Sequence, residues 1–230
     1  QEWRDTYAIG WKNLKKLRKI KTETEANASY VNRDFEFDVL MANPPFAGDI
    51  KEGKILNKYE LGKKPNGKSQ TKVGRDILFI ERNLDFLKDG GRMAVVLPQG
   101  RFNNSSDKYI RDFIAERCRI LAVVGLHGNV FKPHTGTKTS VLLVQKWDEK
   151  LCPKVEDYPI FFATMQEPSK DNSGEKIMVK DTDGTDLLDN HQHLIVKHDL
   201  FNHEGLTQDG IAEAFTEFAK KEKLSFVGKN

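Results

Sequence analysis

Two hundred and thirty residues, 38% hydrophobic and 31% charged, suffice for one large α/β unit or a domain and a half, and the balance excludes disorder, a collagen repeat and a disulfide scaffold. The longest apolar runs, 93–98 and 141–144, are strand-sized and far short of the ~18 uncharged residues of a membrane span, so a soluble chain is expected. The net charge of +3 conceals an asymmetry: residues 1–147 carry net +10 and residues 148–209 net −8, which directs the front of the chain toward a polyanion such as nucleic acid.

The chain opens Gln1-Glu2-Trp3-Arg4, with neither an initiator Met nor a signal-peptide pattern, and reads as a piece of something longer. Cys118 and Cys152 lie far apart with no C-x-x-C, which argues against a zinc site or a disulfide framework and for a reducing cytoplasm. Three N-x-S sequons, at Asn27, Asn103 and Asn104, then carry no glycosylation message.

Residues 11–20 space Trp11, Leu14 and Leu17 three apart with lysines between, a basic amphipathic helix, and a polar loop follows, so that 1–33 forms an N-terminal basic segment. Residues 35–42 begin in alternation and end in a continuous apolar run, as a strand does on entering a sheet covered on both faces. Asn43-Pro44-Pro45 stops that strand in a stiff, extended corner. Residues 47–75 form a long polar connection with eight Lys and Arg, the kind of loop that is functional or mobile.

A helix over 76–88 is expected to end at Asp89-Gly90-Gly91, with a buried strand at 93–97 after it. Ser105 or Ser106 caps a further helix running to about Cys118, and strands at 120–126 and 139–147 flank a Gly, His, Pro and Thr-rich loop over 127–138. This order spells part of a doubly wound, Rossmann-like α/β sheet, its later strands, with the last strand antiparallel. Residues 34–147 hold this half, and 148–230 form a smaller acidic extension with short strands at 158–164 and 177–180 and a terminal helix over 206–224.

Asn43-Pro44-Pro45-Phe46 is the most informative tetrapeptide, because ligands of open α/β sheets sit at the carboxyl ends of strands. An exocyclic amine such as adenine N6 is a poor nucleophile while its lone pair is delocalised into the ring. Two acceptors in fixed geometry, the Asn43 side-chain carbonyl and the Pro44 backbone carbonyl, can bind its two N–H groups and draw the nitrogen toward a tetrahedral state. Phe46 offers a face to the base, an interaction worth about 1–3 kcal/mol. The competing reading is a strand end with a core phenylalanine.

The stretches FDVLMANPPF, DILFIERNLDFLKDGGRMAVVLPQGRF and ILAVVGLHGNVFKPHTGTKTSVLLVQKW resemble the catalytic half of the DNA adenine-N6 methyltransferases, most closely the modification subunit of type I restriction-modification enzymes. The resemblance implies that Asn43 and Pro44 bind the target amine, and that Phe46 and Phe131 stack on the flipped base from its two sides. It further implies that Pro45 and Phe79 pack against the adenine ring of S-adenosylmethionine, and that the methyl passes directly to N6 without an enzyme nucleophile. Double-stranded DNA, a specificity subunit and a motor-nuclease restriction subunit are the partners implied, in the cytoplasm.

The family's glycine-rich cofactor turn and the acidic residue after its second strand have no counterpart upstream of Phe35, so the cofactor site of this fragment is expected to be incomplete and the fragment alone inactive. Residues 62–69 satisfy G-x-x-x-x-G-K-[ST] letter for letter but lack the flanking strand and helix of a phosphate loop. Lys63, Lys64, Lys68 and Lys72 are better read as contacts along a DNA backbone. His191, His193, His198 and His203 lie in an acidic, turn-rich tract and read as surface histidines, so no metal is expected. Two other functions stay open: a glutamine side-chain methyltransferase, which also uses Asn-Pro-Pro and an aromatic, and a non-catalytic scaffold of the same fold.

Overall fold

The apolar run ahead of the Asn-Pro-Pro corner forms β1 (Phe37–Ala42) in a computed structural model that describes residues 37–64 and 66–226. The basic helix expected over 11–20, and the 1–33 segment as a whole, lie outside the described residues. Four further strands, β4 (Leu87–Pro98), β5 (Cys118–Gly125), β6 (Thr139–Lys146) and β7 (Phe161–Thr164), join β1 in a five-stranded sheet of order β1-β4-β6-β5-β7. β1 pairs with β4 and β5 with β7 in parallel, while β6 runs antiparallel to both its neighbours. The reversed strand anticipated by the sequence is therefore β6, inserted between β4 and β5. The segment beyond Trp147 contributes β7 to this same sheet.

Period-two alternation sorts the two faces. Leu142 and Val144 of β6 join the main core with Met93, Val95 and Leu97 of β4, under Ile77, Ile80 and Leu84 of α2 (Arg75–Asp85) and Ile110, Phe113 and Ile114 of α4 (Lys108–Arg117). Leu143 and Leu121 face the other way, onto Ala219, Phe215 and Phe218 of α5 (Ile211–Lys221). Two short helices, α1 (Gly53–Leu56) and α3 (Gly100–Asn103), complete the set.

Among the described residues β1 is covered on one face only. Leu40 and Ala42 pack against the main core, whereas Phe37, Val39 and Met41 are 48%, 51% and 82% exposed, contrary to the double covering expected from the apolar run. The Gly90-Gly91 pair also differs from expectation. The helix ends at Asp85, and Leu87 already lies beside Phe37 in β4, so the glycines fall inside the strand. Two positions of β1, Phe37 to Val39, span Leu87 to Arg92 of β4, and this bulge absorbs the surplus residues. Gly90 sits at φ +75°, where a Cβ would come within 2.8 Å of Leu151, and its carbonyl accepts a hydrogen bond from Gln145 Nε2 at 2.9 Å.

Three smaller expectations are adjusted. A 3₁₀ turn (Ser105–Asp107) precedes α4, and neither serine caps it through a side-chain bond. The strand expected over 177–180 is reduced to isolated bridges, Met178 with Val196 and Lys180 with Asp186. The terminal helix spans Ile211–Lys221, with Glu213 bonding the Gly210 amide at its start.

Candidate active site at the carboxyl edge of the sheet

Register alone gathers the site. Ala42 lies beside Val95, Pro98 beside Thr139, and Gly125 beside both Ser140 and Thr164. β1, β4, β5 and β7 leave the sheet at this edge, and β6, running the opposite way, enters there. Segments 43–48, 99–102, 127–138 and 165–170 thus share one lip, the position at which open α/β sheets take ligands.

The Asn-Pro-Pro-Phe corner is an elbow open on one side. Pro44 is buried and fixes the elbow, Asn43 and Pro45 are exposed, and Phe46 is half-buried. Among the described residues neither the Asn43 side chain nor the Pro44 carbonyl takes part in a hydrogen bond. Phe46 meets Phe131 edge to face, ring centroids 5.0 Å apart and planes at 83°. The structure thus brings Phe131 to Phe46, but as a ring pair in mutual contact rather than as two walls with a gap between them.

Behind the elbow the chain is tied to α2. Gly48, at φ +96°, gives its carbonyl to the Arg75 amide at 3.0 Å, and β2 (Asp49–Ile50) pairs antiparallel with β3 (Val73–Gly74). Phe79 projects outward from that helix at 42% exposure while Ile77, Leu78 and Ile80 are buried, so it is not the core residue its apolar neighbours suggest. Pro45 and Phe79 both expose apolar surface.

Arg101 supplies a device that sequence reading missed. Its Nε and Nη2 form a fork on Asp76 at 2.7 and 3.1 Å, and Nη1 bonds Asp107 at 3.0 Å. Asp76 is 2% exposed and opens α2; Arg101 lies just beyond β4. Burial alone would lower the guanidinium's proton affinity, but hydrogen bonds and charge from Asp76 and Asp107 more than reverse it and raise the pKa. The lip between the elbow and the end of β4 is therefore pinned by a buried bidentate ion pair. Nothing local in the sequence announces it, since Asp76, Arg101 and Asp107 are brought together only by the fold.

The basic connection is folded rather than loose. Leu56 and Leu61 are buried, the Glu81 carboxylate accepts the amides of Glu60 and Leu61 at 2.8 Å each, and Lys63 bridges Ser69 across a turn at 64–67. Partial burial raises the Glu81 pKa, with the two amide bonds opposing the rise. Lys63, Lys64 and Lys68 are exposed and pair with no acid among the described residues; Lys72 lies 3.5 Å from Asp49. After Ser69 the chain runs into β3 rather than a helix, so the phosphate-loop letters have no phosphate-loop geometry. A cleft of about 650 Å³ separates this hairpin from α4, lined in part by Lys63, Tyr109 and Glu116 and by none of the elbow residues.

Both cysteines are buried, and burial pushes the Cys118 thiol up to about 12, so it is no nucleophile at neutral pH. Among the described residues no group of three or more His, Cys, Asp or Glu side chains is arranged to hold a metal ion. Among them, too, no helix is long and apolar enough to cross a membrane.

Comparison with known proteins fits this geometry. The model of the N-6 DNA methylase family matches residues 6–225. The chain belongs to that family. Its similarity to the type I restriction enzyme EcoEI methylase subunit of Escherichia coli is 33% identity over 128 residues, 55% of this chain and 24% of the relative. Similarity to the Escherichia coli type II restriction enzyme and methyltransferase RM.Eco57I is 26% over 115 residues, 49% of the chain and 11% of the relative. Among solved structures, the type I restriction-modification methyltransferase subunit from Streptococcus thermophilus is 28% identical with a TM-score of 0.42, the match covering 53% of this chain and 26% of that one. This N-6 DNA methylase chain thus spans about a quarter of one curated relative and a tenth of the other.

Proposed function

We propose that the chain carries the amine-activating half of an adenine-N6 DNA methyltransferase, within the modification subunit of a type I restriction-modification system. Membership of the N-6 DNA methylase family supports the reaction class, and similarity to a type I methylase subunit supports the setting. The observation that carries the reading is the elbow itself: an exposed Asn43 before a buried Pro44, with acceptors that have no partner among the described residues, beside the Phe46 and Phe131 rings.

The target adenine leaves the duplex because its amine is unreachable inside the stack. Phe46 takes its face, and Phe131 moves aside to close on the opposite face. The Asn43 Oδ1 and the Pro44 carbonyl then accept the two N6–H groups, withdrawing the nitrogen lone pair from ring conjugation and aiming it along one line. Pro45 and Phe79 would hold part of S-adenosylmethionine, which would supply the methyl group as its carbon–sulfur bond breaks and leave as the neutral thioether. Once the nitrogen carries the methyl group it is cationic, and one of its two protons, hydrogen-bonded to Asn43 Oδ1 until then, is lost to water. Lys63, Lys64, Lys68 and Lys72 run along the DNA backbone, and sequence recognition falls to a separate specificity subunit, with a restriction subunit as a further partner.

Asn43→Ala in the full-length protein with its specificity subunit tests this. Methyl transfer to DNA is expected to fall by at least ~100-fold, the scale of one missing transition-state hydrogen-bond partner, while DNA affinity stays within about twofold. Undiminished transfer sinks the proposal and favours a scaffold; label entering protein rather than DNA favours a glutamine acceptor.

A further inference from the structure

The loop that carries Phe131 is held from outside. Asn129 Nδ2 donates to the Lys170 carbonyl at 3.0 Å and reaches Asn172 Oδ1 at 3.4 Å; Lys132 Nζ reaches that same oxygen at 3.3 Å. In return Lys170 Nζ donates to the Lys132 carbonyl at 2.7 Å. The two segments exchange hydrogen bonds in both directions, on either side of Phe131. Within the loop itself the backbone bonds are turn bonds, such as Val130 to His127 and Thr135 to Phe131.

The outer segment is stiff on its own account. Asp171 Oδ1 accepts the amides of Ser173, Gly174 and Glu175 at 2.8, 2.8 and 3.0 Å and the Ser173 hydroxyl at 2.6 Å. Lys170 also bridges Lys176 across the turn. Gly174, at φ +100°, abuts the Phe131 loop so closely that a Cβ there would lie 2.6 Å from Pro133. A turn with this internal bonding is a fixed surface against which a less regular loop can be set.

We propose that the 170–174 turn is a splint for the base pocket, with Lys170 and Asn172 as positioning residues that hold the backbone of Phe131 beside Phe46 and leave its ring free to turn aside. The proposal rests on the reading of Phe131 as a base-holding ring. Ordering a loop residue costs about 1–2 kcal/mol of backbone entropy, so a splint that orders residues 129–133 beforehand removes that cost from base capture.

The test uses the full-length protein with its specificity subunit and DNA carrying 2-aminopurine at the target adenine, whose fluorescence rises when the base leaves the stack and is captured. The double variant Lys170→Ala with Asn172→Ala is expected to lower capture by about tenfold, as Phe131→Ala does, since a misplacement of about 1 Å is already felt strongly at such sites. Adding Phe131→Ala to the double variant is expected to cost nothing further, because both changes remove the same interaction. Lys170→Arg, which keeps a donor, is expected to capture normally. Lys170→Met alone serves if the double variant does not fold. Full capture by the double variant, or losses that add to those of Phe131→Ala, overturns the splint. Asn43→Ala is the separate arm: normal methylation there sinks the adenine-N6 reading, whereas abolished methylation together with intact capture by the splint variant sinks only the splint.

Discussion

Phe46 and Phe131 stand edge to face with their centroids 5.0 Å apart, which is too close to admit a base between them. A sandwich needs about 7 Å, twice the ~3.5 Å separation of stacked carbons. The proposed base capture therefore requires the rings to part by roughly 2 Å. Phe46→Ala and Phe131→Ala are each expected to weaken capture by about 1–3 kcal/mol, roughly 5- to 150-fold, in the 2-aminopurine assay. Phe46→Tyr, which keeps the face, is expected to stay within a few-fold of the wild type. Equal capture by all three variants would show that the rings serve packing alone.

Arg101 offers a test of how the lip is held. Arg101→Leu leaves Asp76, 2% exposed, without its bidentate partner, and breaking a buried pair of this kind costs about 3–5 kcal/mol. The denaturant midpoint is expected to drop accordingly, and the double variant Arg101→Leu with Asp76→Leu to recover much of the loss. A midpoint unchanged in the single variant would mean that the fork contributes nothing to the fold.

The basic hairpin is expected to govern salt dependence rather than chemistry. Replacing Lys63, Lys64 and Lys68 with Gln should flatten the plot of log K for DNA against log salt by up to ~0.9 for each phosphate no longer neutralised, leaving the methylation rate at saturating DNA unchanged. Glu81→Ala removes the acceptor for two amides and is expected to make the bonds after Lys63 and Lys68 cleave faster with trypsin under native conditions. An unchanged salt slope, or unchanged cleavage, contradicts the corresponding role.

Cys118 carries a pH prediction. Burial raises its folded-state value to about 12 from an ordinary 9.0, so its contribution to stability is complete below pH 9 and disappears as pH rises toward 12. Relative to Cys118→Val, the wild type is expected to lose up to ~1.4 kcal/mol per pH unit across that window. Iodoacetamide at pH 8 is expected to leave Cys118 unmodified in the native protein and to modify it once urea unfolds the chain. Parallel stability curves for the two proteins, or prompt native labelling, would contradict this.

What the sequence reveals follows from locality. β1, β4, β5, β6, α2 and α4 are legible because apolar spacing reports directly on burial, and the elbow because two adjacent prolines have few uses. The end of α2 is not legible, because Gly90-Gly91 reads as a helix stop, whereas pairing between Leu87 and Phe37 decides the matter from another part of the chain. The 47–75 stretch reads as polar connection because its anchors, Leu56 and Leu61, are isolated among lysines. The Arg101 fork is invisible for the same reason as the splint: each joins residues that only the fold makes neighbours. Phe79 shows the converse, an apolar letter in an apolar run that the helix turns outward.

The reversal of β6 has a consequence for how the pocket can change. Because this strand starts at the lip where the others finish, the 127–138 loop leaves and re-enters the sheet at one edge, anchored at Gly125 and Thr139 by ladder pairing. Such a loop can be exchanged as a cassette, together with the 170–174 turn that it contacts, without breaking the ladder at its two ends. Under the proposed function, the acceptor side of the reaction can diversify there while the proline elbow stays as it is.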